Sequence, residues 1–391
     1  MKSIKNKVIR VANVAVFFNN FYKGQFKYFN LFFEVIGVAS FDVKHFNEFK
    51  DSEEVQMVAL NIRRTISPLN DFISLIKLWR LFLFERPLII HSHLPKAGLL
   101  SMIAGYFAFV KIRVHSVEGM PLMGAYGLKR RVLFMTERLT YSFATRIICN
   151  SKGLRDFIIS ENLCKPEKIV VFSEGSSTGV DYEFYNPENP EIRTLDREKL
   201  REELKISTET VVFFFVGRIG IDKGFNELID VFEKIVETQS VKLLLAGVFE
   251  EKVGRLPDEI IQKIKSHKDI IFAGRVPDLR PYFMASDVFI FPSYREGFPN
   301  AVLEAGAMGL PCIVTDINGC NEIITDKFNG LIIKPKDRES LNTAMLEIIG
   351  NENLRKQMAS NIRPSIVKRY TRIDLWNAML NEYKILIIKS K

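Results

Sequence analysis

Short runs of β-branched and aromatic residues recur along this chain, and segments with helical periodicity separate them. Examples are residues 8–17, 87–93, 211–216 and 241–247. Runs that are nearly continuous in apolar residues are typical of strands buried on both faces, as in parallel sheets covered by helices. The repetition of strand and helix therefore predicts an α/β fold built on doubly wound parallel sheets.

Two domains are expected, because 391 residues are enough for two domains of ordinary size. The polar stretch 186–206, which contains two prolines, separates two series of strands and helices, and we interpret it as a surface connection. We therefore place an N-terminal domain at residues 1–190 and a C-terminal domain at 191–370. The remaining residues, 371–391, are predicted to form a terminal helix.

The net charge of +9 belongs almost entirely to the N-terminal half. Residues 1–190 carry 25 Lys and Arg against 17 Asp and Glu, whereas the rest carries 30 against 29. This asymmetry indicates an anionic partner for the first half. In residues 18–33, Phe and Tyr alternate with Lys23 and Lys27. This segment either lies on an anionic membrane surface or forms a core helix with solvated lysines.

Cysteine and hydropathy patterns favour a cytoplasmic protein without a metal centre. The four cysteines form no Cys-x-x-Cys pair and are accompanied by no histidine cluster, so neither a metal site nor a disulfide framework is indicated. The basic N-terminus is not followed by the pattern of a signal peptide. The longest apolar run, residues 99–110, is too short to span a bilayer.

Two cations follow the first strand of the second domain. Arg218 offers a planar fork for phosphate oxygens, and Lys223 offers a point charge. If a nucleoside diphosphate leaves during the reaction, fixed cations at this place would stabilise the transition state more than the ground state. The alternative is that both residues merely flank a strand end at the surface.

The stretch from Glu296 to Glu304 reads Glu-Gly-Phe-Pro-Asn-Ala-Val-Leu-Glu and joins a strand-like run to a helix-like segment. Pro299 suits the first turn of a helix, and the start of that helix offers backbone N–H groups to anions or sugar oxygens. Glu304 would lie about 6–8 Å further along the helix. The two carboxylates could therefore hold two parts of one ligand. The alternative is an ordinary strand, turn and helix with solvated glutamates.

Residues 296–324 as a whole resemble the Glu-x7-Glu region of the retaining glycosyltransferases of family 4, which have the GT-B fold. The resemblance covers essentially the whole chain and is strongest over residues 211–335. It implies two Rossmann-like domains that face a central cleft, with helix 371–391 crossing back onto the first domain. It also implies catalysis without a metal cofactor, because the cations can replace Mg²⁺.

The resemblance further implies roles for single residues. It gives Arg218 and Lys223 to the diphosphate, Glu296 to the hydroxyls of the donor sugar, and Glu304 to the ribose diol. The segment that begins at Gly274, with Val276 at its centre, resembles the part whose backbone meets the nucleobase. The donor-binding residues implied in this way are Gly217, Val276, Gly297, Phe298, Pro299, Asn300 and Glu304.

On the acceptor side, His93 and Lys96 are expected to face the cleft, although His93 would equally fit a packed histidine. Many relatives carry His-Gly where this chain has Glu118 and Gly119, so the usual contact from histidine to the sugar is in doubt. Two roles are open for Glu118. It either makes the same contact as a hydrogen-bond acceptor, or it positions or deprotonates the acceptor hydroxyl.

The sequence thus predicts a retaining glycosyltransferase of bacterial surface-polysaccharide type, in the cytoplasm or at the inner face of the membrane. Its expected substrates are a UDP-sugar, carrying a hexose or N-acetylhexosamine, and a polyprenyl-diphosphate-linked saccharide of capsule or O-antigen assembly. The basic N-terminal half would face anionic lipid. One alternative is a nucleotide-sugar epimerase on the same scaffold. The other is a basic membrane- or nucleic-acid-binding protein, although the sequence shows no motif that reads RNA or DNA.

Overall fold

The structure is a computed structural model, and it describes residues 5–63, 65, 67–193, 197–251 and 254–390. The chain divides into two compact units. Unit 1 comprises Met1–Thr178 and Ile373–Lys391, and unit 2 comprises Gly179–Arg372.

Unit 1 is built on a seven-stranded parallel sheet. Its strands are β1 (Lys7–Val14), β2 (Glu34–Ser40), β3 (Gln56–Ala59), β4 (Ile89–His93), β5 (Ile112–Val117), β6 (Arg146–Cys149) and β7 (Ile169–Val171). Its first seven helices are α1 (Ala15–Phe21), α2 (Gln25–Asn30), α3 (Val43–Glu53), α4 (Pro68–Glu85), α5 (Pro95–Phe107), α6 (Gly127–Phe143) and α7 (Lys152–Ser160). The strand order is β3-β2-β1-β4-β5-β6-β7, and each neighbouring pair is parallel.

Successive residues of β1 contribute to two different apolar cores. Ile9 and Val11 belong to the core that includes residues of α4, α5 and α6, whereas Val8 and Ala12 belong to the core that includes residues of α1, α2 and α3. Because neighbouring side chains of a strand point to opposite faces, helices cover both faces of this sheet.

The aromatic segment 18–33 lies in the second of these cores. Its buried aromatic residues include Tyr22, Phe26 and Phe29, while Lys23 and Lys27 are exposed. The structure therefore supports the interpretation of this segment as core with solvated lysines. The buried rings are not available to lie on a membrane.

Unit 2 is built on a six-stranded parallel sheet. Its strands are β8 (Val211–Val216), β9 (Val241–Ala246), β10 (Ile270–Gly274), β11 (Val288–Phe291), β12 (Cys312–Thr315) and β13 (Gly330–Ile333). Its helices are α8 (Pro190–Arg193), α9 (Arg197–Glu203), α10 (Phe225–Val236), α11 (Asp258–Ser266), α12 (Arg280–Ala285), α13 (Asn300–Ala307), α14 (Cys320–Ile323), α15 (Arg338–Gly350) and α16 (Glu352–Arg369). The strand order is β10-β9-β8-β11-β12-β13, with each pair parallel. The prediction of two Rossmann-like parallel-sheet domains is confirmed.

The last helix, α17 (Arg372–Ser390), supplies part of the core of unit 1. Trp376 packs beside Gly24, and Tyr383 hydrogen-bonds with the buried His91 of β4. Unit 1 is therefore assembled from both ends of the chain. Among the described helices, none combines the length and the apolar character needed to cross a membrane.

The carboxyl ends of β8 and β11 approach each other closely at Gly224, which follows a 3-10 turn over Ile221–Lys223. Gly224 has a φ of +75°, and a Cβ atom built on it would lie 2.2 Å from the carbonyl oxygen of Pro292. Only glycine satisfies both the backbone conformation and this contact. Gly224 thereby determines how closely the loop after β8 can approach the loop after β11.

We expect Gly224→Ala to destabilise unit 2 by at least about 2 kcal/mol, because it adds left-handed strain to a clash with backbone. The measurement is the midpoint of urea unfolding followed by far-UV circular dichroism, because both tryptophans, Trp79 and Trp376, lie in unit 1. Gly350→Ala is the matched control, because a Cβ atom there meets nothing within 4 Å. The control should unfold at or slightly above the midpoint of the unchanged protein. Equal midpoints for the two variants would contradict the proposed packing.

Candidate functional site

The residues predicted to bind a donor gather at one edge of the sheet of unit 2. Arg218 and Lys223 follow β8, Glu296 follows β11, and Val276 follows β10. All these strands are parallel, so their carboxyl ends lie at the same edge, where open α/β sheets bind ligands.

At this edge, the ammonium of Lys223 donates a hydrogen bond to Oε1 of Glu296. The hydroxyl of Ser293 donates to the same oxygen at 2.8 Å, and the amide of Asn318 donates to the backbone oxygen of Glu296 at 2.6 Å. Lys223 is buried and also lies 5.6 Å from the ring centroid of Phe291. The carboxylate and the ammonium are therefore held in fixed positions before a ligand arrives.

Arg218 lies at the same edge but reaches further into solvent, with 50% of its side chain exposed. Its guanidinium pairs with Glu250 and, at 3.2 Å, with Asp222. Two carboxylates thus orient a cation that remains accessible. This arrangement leaves the guanidinium edge available to an incoming anion such as a diphosphate.

The turn after Glu296 is braced by the loop that follows β12. Gly319 has a φ of +80°, and a Cβ atom there would lie 2.7 Å from the carbonyl oxygen of Gly297 and 2.9 Å from Cα of Phe298. Phe298 is buried, and its ring centroid lies 5.4 Å from that of Tyr370 with the two ring planes tilted by 60°. The backbone of Gly297 and Phe298 is therefore enclosed between two segments.

Helix α13 begins one residue later than predicted. Pro299 has φ −78° and ψ 108°, an extended conformation, and the first helical residue is Asn300. The expectation that Pro299 occupies the first turn is therefore wrong by one residue. Pro299 instead precedes the helix, and its carbonyl accepts a hydrogen bond from the N–H of Val302 at 3.1 Å.

Glu304 lies on α13 in an environment that differs from that of Glu296. Burial raises the pKa of Glu304 to about 7, and the charge of Arg372 and a hydrogen bond with Tyr185 lower it in part. Arg372 itself pairs with Asp181 at 3.0 Å. The carboxyl of Glu304 therefore changes its charge near neutral pH.

Glycines close the ends of three neighbouring strands at the same edge. The N–H of Gly217 donates to Ala246 at 3.0 Å, and the N–H of Gly247 donates to Gly274 at 2.7 Å. Val276, two residues beyond Gly274, packs against the core of unit 2 and remains partly exposed. The segment around Val276 thus lies two strands away from the cations.

In unit 1, His93 at the end of β4 is fully buried, contrary to the expectation that it would face a cleft. Its Nε2 lies 3.0 Å from Nη2 of Arg10, and its Nδ1 lies 3.1 Å from the hydroxyl of Tyr22. Because arginine can only donate, Nε2 accepts and the proton of the neutral ring lies on Nδ1. Burial lowers the pKa of His93, with Arg10 and His115 adding to the effect, so the ring is neutral at pH 7.

Glu118 lies next to this histidine, with Nδ1 of His93 3.3 Å from its Oε1. The hydroxyl of Tyr22 donates to the same oxygen. Burial raises the pKa of Glu118, while hydrogen bonds from Tyr22 and Ser177 lower it. The carboxyl of Glu118 is only partly buried, so Glu118 rather than His93 can touch a ligand.

Lys96 is engaged in an ion pair within unit 1. Its ammonium lies 2.7 and 2.8 Å from the two carboxylate oxygens of Asp71, and it also donates to the carbonyl of Thr65. A role for Lys96 in binding an acceptor would require this pair to be shared or broken.

Several residues of these arrangements were not identified from the sequence. Ser293 and Asn318 orient Glu296, and Arg10 and Tyr22 orient the pair of His93 and Glu118. Ser293 lies two residues after the end of β11, and that position was the one signal that could have marked it. Within the described ranges, no group of three or more His, Cys, Asp or Glu side chains could hold a metal ion.

Comparisons with known proteins identify the family of this chain. The sequence model described as Glycosyl transferases group 1 matches residues 196–364, and that described as Glycosyl transferase 4-like domain matches residues 42–175. The chain is 30% identical to the capsular polysaccharide biosynthesis glycosyltransferase CapM of Staphylococcus aureus, over 91% of each protein. It is also 30% identical, over 78% of each, to the UDP-Gal:alpha-D-GlcNAc-diphosphoundecaprenol alpha-1,3-galactosyltransferase of Escherichia coli.

A solved structure of HepE from Anabaena, in complex with UDP and glucose, shares the fold. It superposes with a TM-score of 0.80 at 18% identity, and the match covers 97% of this chain and 99% of HepE. The resemblance to family 4 is thereby confirmed. The chain belongs to the glycosyl transferases group 1 family, and it is a glycosyltransferase of the GT-B fold.

Proposed function

We propose that this enzyme transfers a hexose or N-acetylhexosamine from a UDP-sugar to a polyprenyl-diphosphate-linked saccharide during synthesis of a capsule or O-antigen. The names of the two relatives support this proposal, since one acts in capsular polysaccharide biosynthesis and the other is named for UDP-Gal and a diphosphoundecaprenol acceptor. The observation that supports the proposal most strongly is that Arg218, Lys223 and Glu296 lie together at one edge of a parallel sheet. The reaction would take place at the inner face of the cell membrane.

The two cations act on the leaving group. As the bond between the anomeric carbon and the phosphate oxygen breaks, negative charge grows on the UDP diphosphate. Arg218 and Lys223 stabilise that charge from fixed positions, which lowers the barrier more than it strengthens substrate binding. No step of this proposal requires a bound metal.

The two glutamates act on different parts of the donor. Glu296, held by Lys223 and Ser293, accepts hydrogen bonds from sugar hydroxyls beside the diphosphate. Glu304 accepts from the ribose diol, and the segment around Val276 meets the uracil. Gly217 and the backbone of Gly297, Phe298, Pro299 and Asn300 line the space between them.

The acceptor hydroxyl attacks the anomeric carbon from the side on which the phosphate leaves, so the anomeric configuration is retained. Its proton passes either to the departing phosphate or to Glu118. The contacts from Tyr22 and His93 fix Oε1 of Glu118, which favours a positioned base over a mobile surface carboxylate. Lys96 binds the acceptor on the same side, with its ammonium shared between Asp71 and the acceptor.

Replacing Arg218 tests the donor site. Arg218→Gln should lower kcat by about 10²–10³-fold, the effect of removing one fixed donor to a developing anion. Thermal-shift measurements with UDP-glucose, UDP-galactose, UDP-N-acetylglucosamine and GDP-mannose identify the donor, because selective binding raises the unfolding midpoint. Arg155→Gln, which replaces a half-buried arginine of unit 1 paired with Asp156, is the control and should leave both readouts unchanged. A panel without any shift would contradict the donor assignment, and turnover without an acceptor would indicate an epimerase.

The affinity for the UDP-sugar should fall as the pH drops through about 7. Ribose hydroxyls stabilise the charged carboxylate, so binding lowers the pKa of Glu304 and releases a proton. By linkage the affinity then rises with pH, by at most about tenfold per pH unit, until Glu304 is ionised in the free enzyme. Isothermal titration with the nucleotide sugar measures this. Glu304→Gln should bind weakly and without this pH dependence, and an unchanged pH profile in that variant would exclude the ribose contact.

Replacing Glu118 separates its two roles. If Glu118 is the base, Glu118→Gln should lower kcat by about 10²–10⁴-fold while the thermal shift with UDP-sugar persists. Tyr22→Phe removes a hydrogen bond that lowers the pKa of Glu118, so the acidic limb of the pH–rate profile should move to higher pH. Full turnover in Glu118→Gln would leave the departing phosphate as the proton acceptor.

A further inference from the structure

Helix α6 exposes an apolar stripe to solvent. Leu128, Val132, Met135 and Leu139 follow the spacing that places side chains on one side of a helix, and all four are exposed, with Leu128 at 77% and Met135 at 71%. Cations flank the stripe, and the exposed ones are Lys129, Arg131 and Arg138. Basic residues beside an outward apolar stripe are typical of helices that lie in a lipid interface.

Helix α4 repeats this pattern. Leu69, Phe72, Ile73 and Ile76 are exposed along one side, with Leu69 at 73% and Phe72 at 60%. The exposed charges on this helix belong to Lys77 and Arg80. Helix α4 has 18 residues and is therefore about 27 Å long, and α6, with 17 residues, has a similar length.

The two stripes belong to one surface. Both helices pack against α5, so their axes lie about 16–20 Å apart on the same face of the sheet. Between them, α5 contributes the half-buried Leu99 and Ile103, and its end exposes Phe107. We name the outward side of these three helices the α4–α6 face.

The acidic residues of α4 and α6 do not reduce the positive charge of this face. Asp71 is paired with Lys96, Glu85 is paired with Lys7, and Glu137 is buried. On these two helices the exposed charges are therefore all positive, and the apolar side chains between them are exposed to solvent. A surface of this kind is complementary to anionic lipid headgroups above an acyl layer.

We propose that the α4–α6 face docks on an anionic lipid membrane. Apolar side chains of both helices enter the boundary between headgroups and acyl chains, and the five lysines and arginines contact lipid phosphates. This inference rests on the proposed function, because docking would bring the enzyme to a lipid-linked acceptor. The observations that support it come from unit 1 and are independent of the proposed donor site in unit 2. The surface differs from the aromatic segment 18–33, which the sequence marked as a membrane candidate.

A second copy of the chain fits this face poorly. A two-fold interface brings the same patch of each protomer together, and here that would place arginines and lysines against one another. Like charges across an interface disfavour association. Anionic lipid neutralises the same residues.

Cosedimentation with vesicles tests the proposal. The full-length enzyme should bind vesicles of phosphatidylcholine and phosphatidylglycerol, bind vesicles of pure phosphatidylcholine weakly, and dissociate as salt rises. Each removed cation should weaken binding about fivefold, so Arg131→Gln with Arg138→Gln should weaken it about 25-fold. Met135→Ser with Phe72→Ser should weaken binding even at low salt. Because these side chains are exposed, the unfolding midpoints should not change.

Controls in unit 2 match these variants. Lys356→Gln removes an exposed cation, and Leu346→Ser removes an exposed apolar side chain, and both should bind vesicles like the unchanged enzyme. Vesicle binding that is equal in all variants would overturn the proposal. An unchanged enzyme that is oligomeric, with variants of the α4–α6 face that are monomeric, would also overturn it, because this face would then be an interface between copies. A UDP-sugar thermal shift without vesicle binding would refute only the docking surface. Vesicle binding without any such shift would refute only the proposed donor chemistry.

Discussion

The ion pair between Lys223 and Glu296 is the contact on which the proposed donor site depends. Both side chains are largely removed from water, and a buried charge without a partner is strongly destabilising. The pair is possible because parallel strands bring the loops after β8 and β11 to one edge, and because Gly224 permits their close approach. In the proposed reaction, a diphosphate and a sugar hydroxyl would share a charge pair that is already in place, so their binding would need little reorganisation.

Three carboxylates in the molecule have three different electrostatic environments. Glu296 has an ammonium and a hydroxyl at one oxygen, Glu304 is dominated by burial, and Glu118 is held by a tyrosine beside a neutral histidine. In the proposed mechanism, the same functional group anchors a sugar at Glu296, ionises near neutral pH at Glu304 and faces an acceptor at Glu118. The difference comes from neighbours that lie far away in the sequence.

Local sequence predicted most of the strands and helices. It also predicted the edge at which the proposed donor residues gather, because parallel topology places all strand ends together. It did not predict Asn318 or Arg10, since their contacts with Glu296 and His93 join segments brought together only by the fold. The burial of His93 could not be predicted either, because the residues that cover it come from distant segments of the sequence. Strand β2 was also missed, because the aromatic segment before it obscured the start of a short apolar run. The extended conformation of Pro299, one residue before α13 begins, shows that a proline near a helix start does not specify the first helical residue.

Helix α17 has a consequence for the order in which the protein can mature on the ribosome. Unit 2 is one continuous segment, whose ends meet where the N–H of Val180 bonds with Tyr370 at 2.8 Å. Unit 1 lacks Trp376 and Tyr383 until the C-terminus has been translated. Unit 1 is therefore begun first and completed last. Until α17 has been translated, the apolar surface of unit 1 that this helix later covers stays exposed while unit 2 folds, and chaperones can bind it.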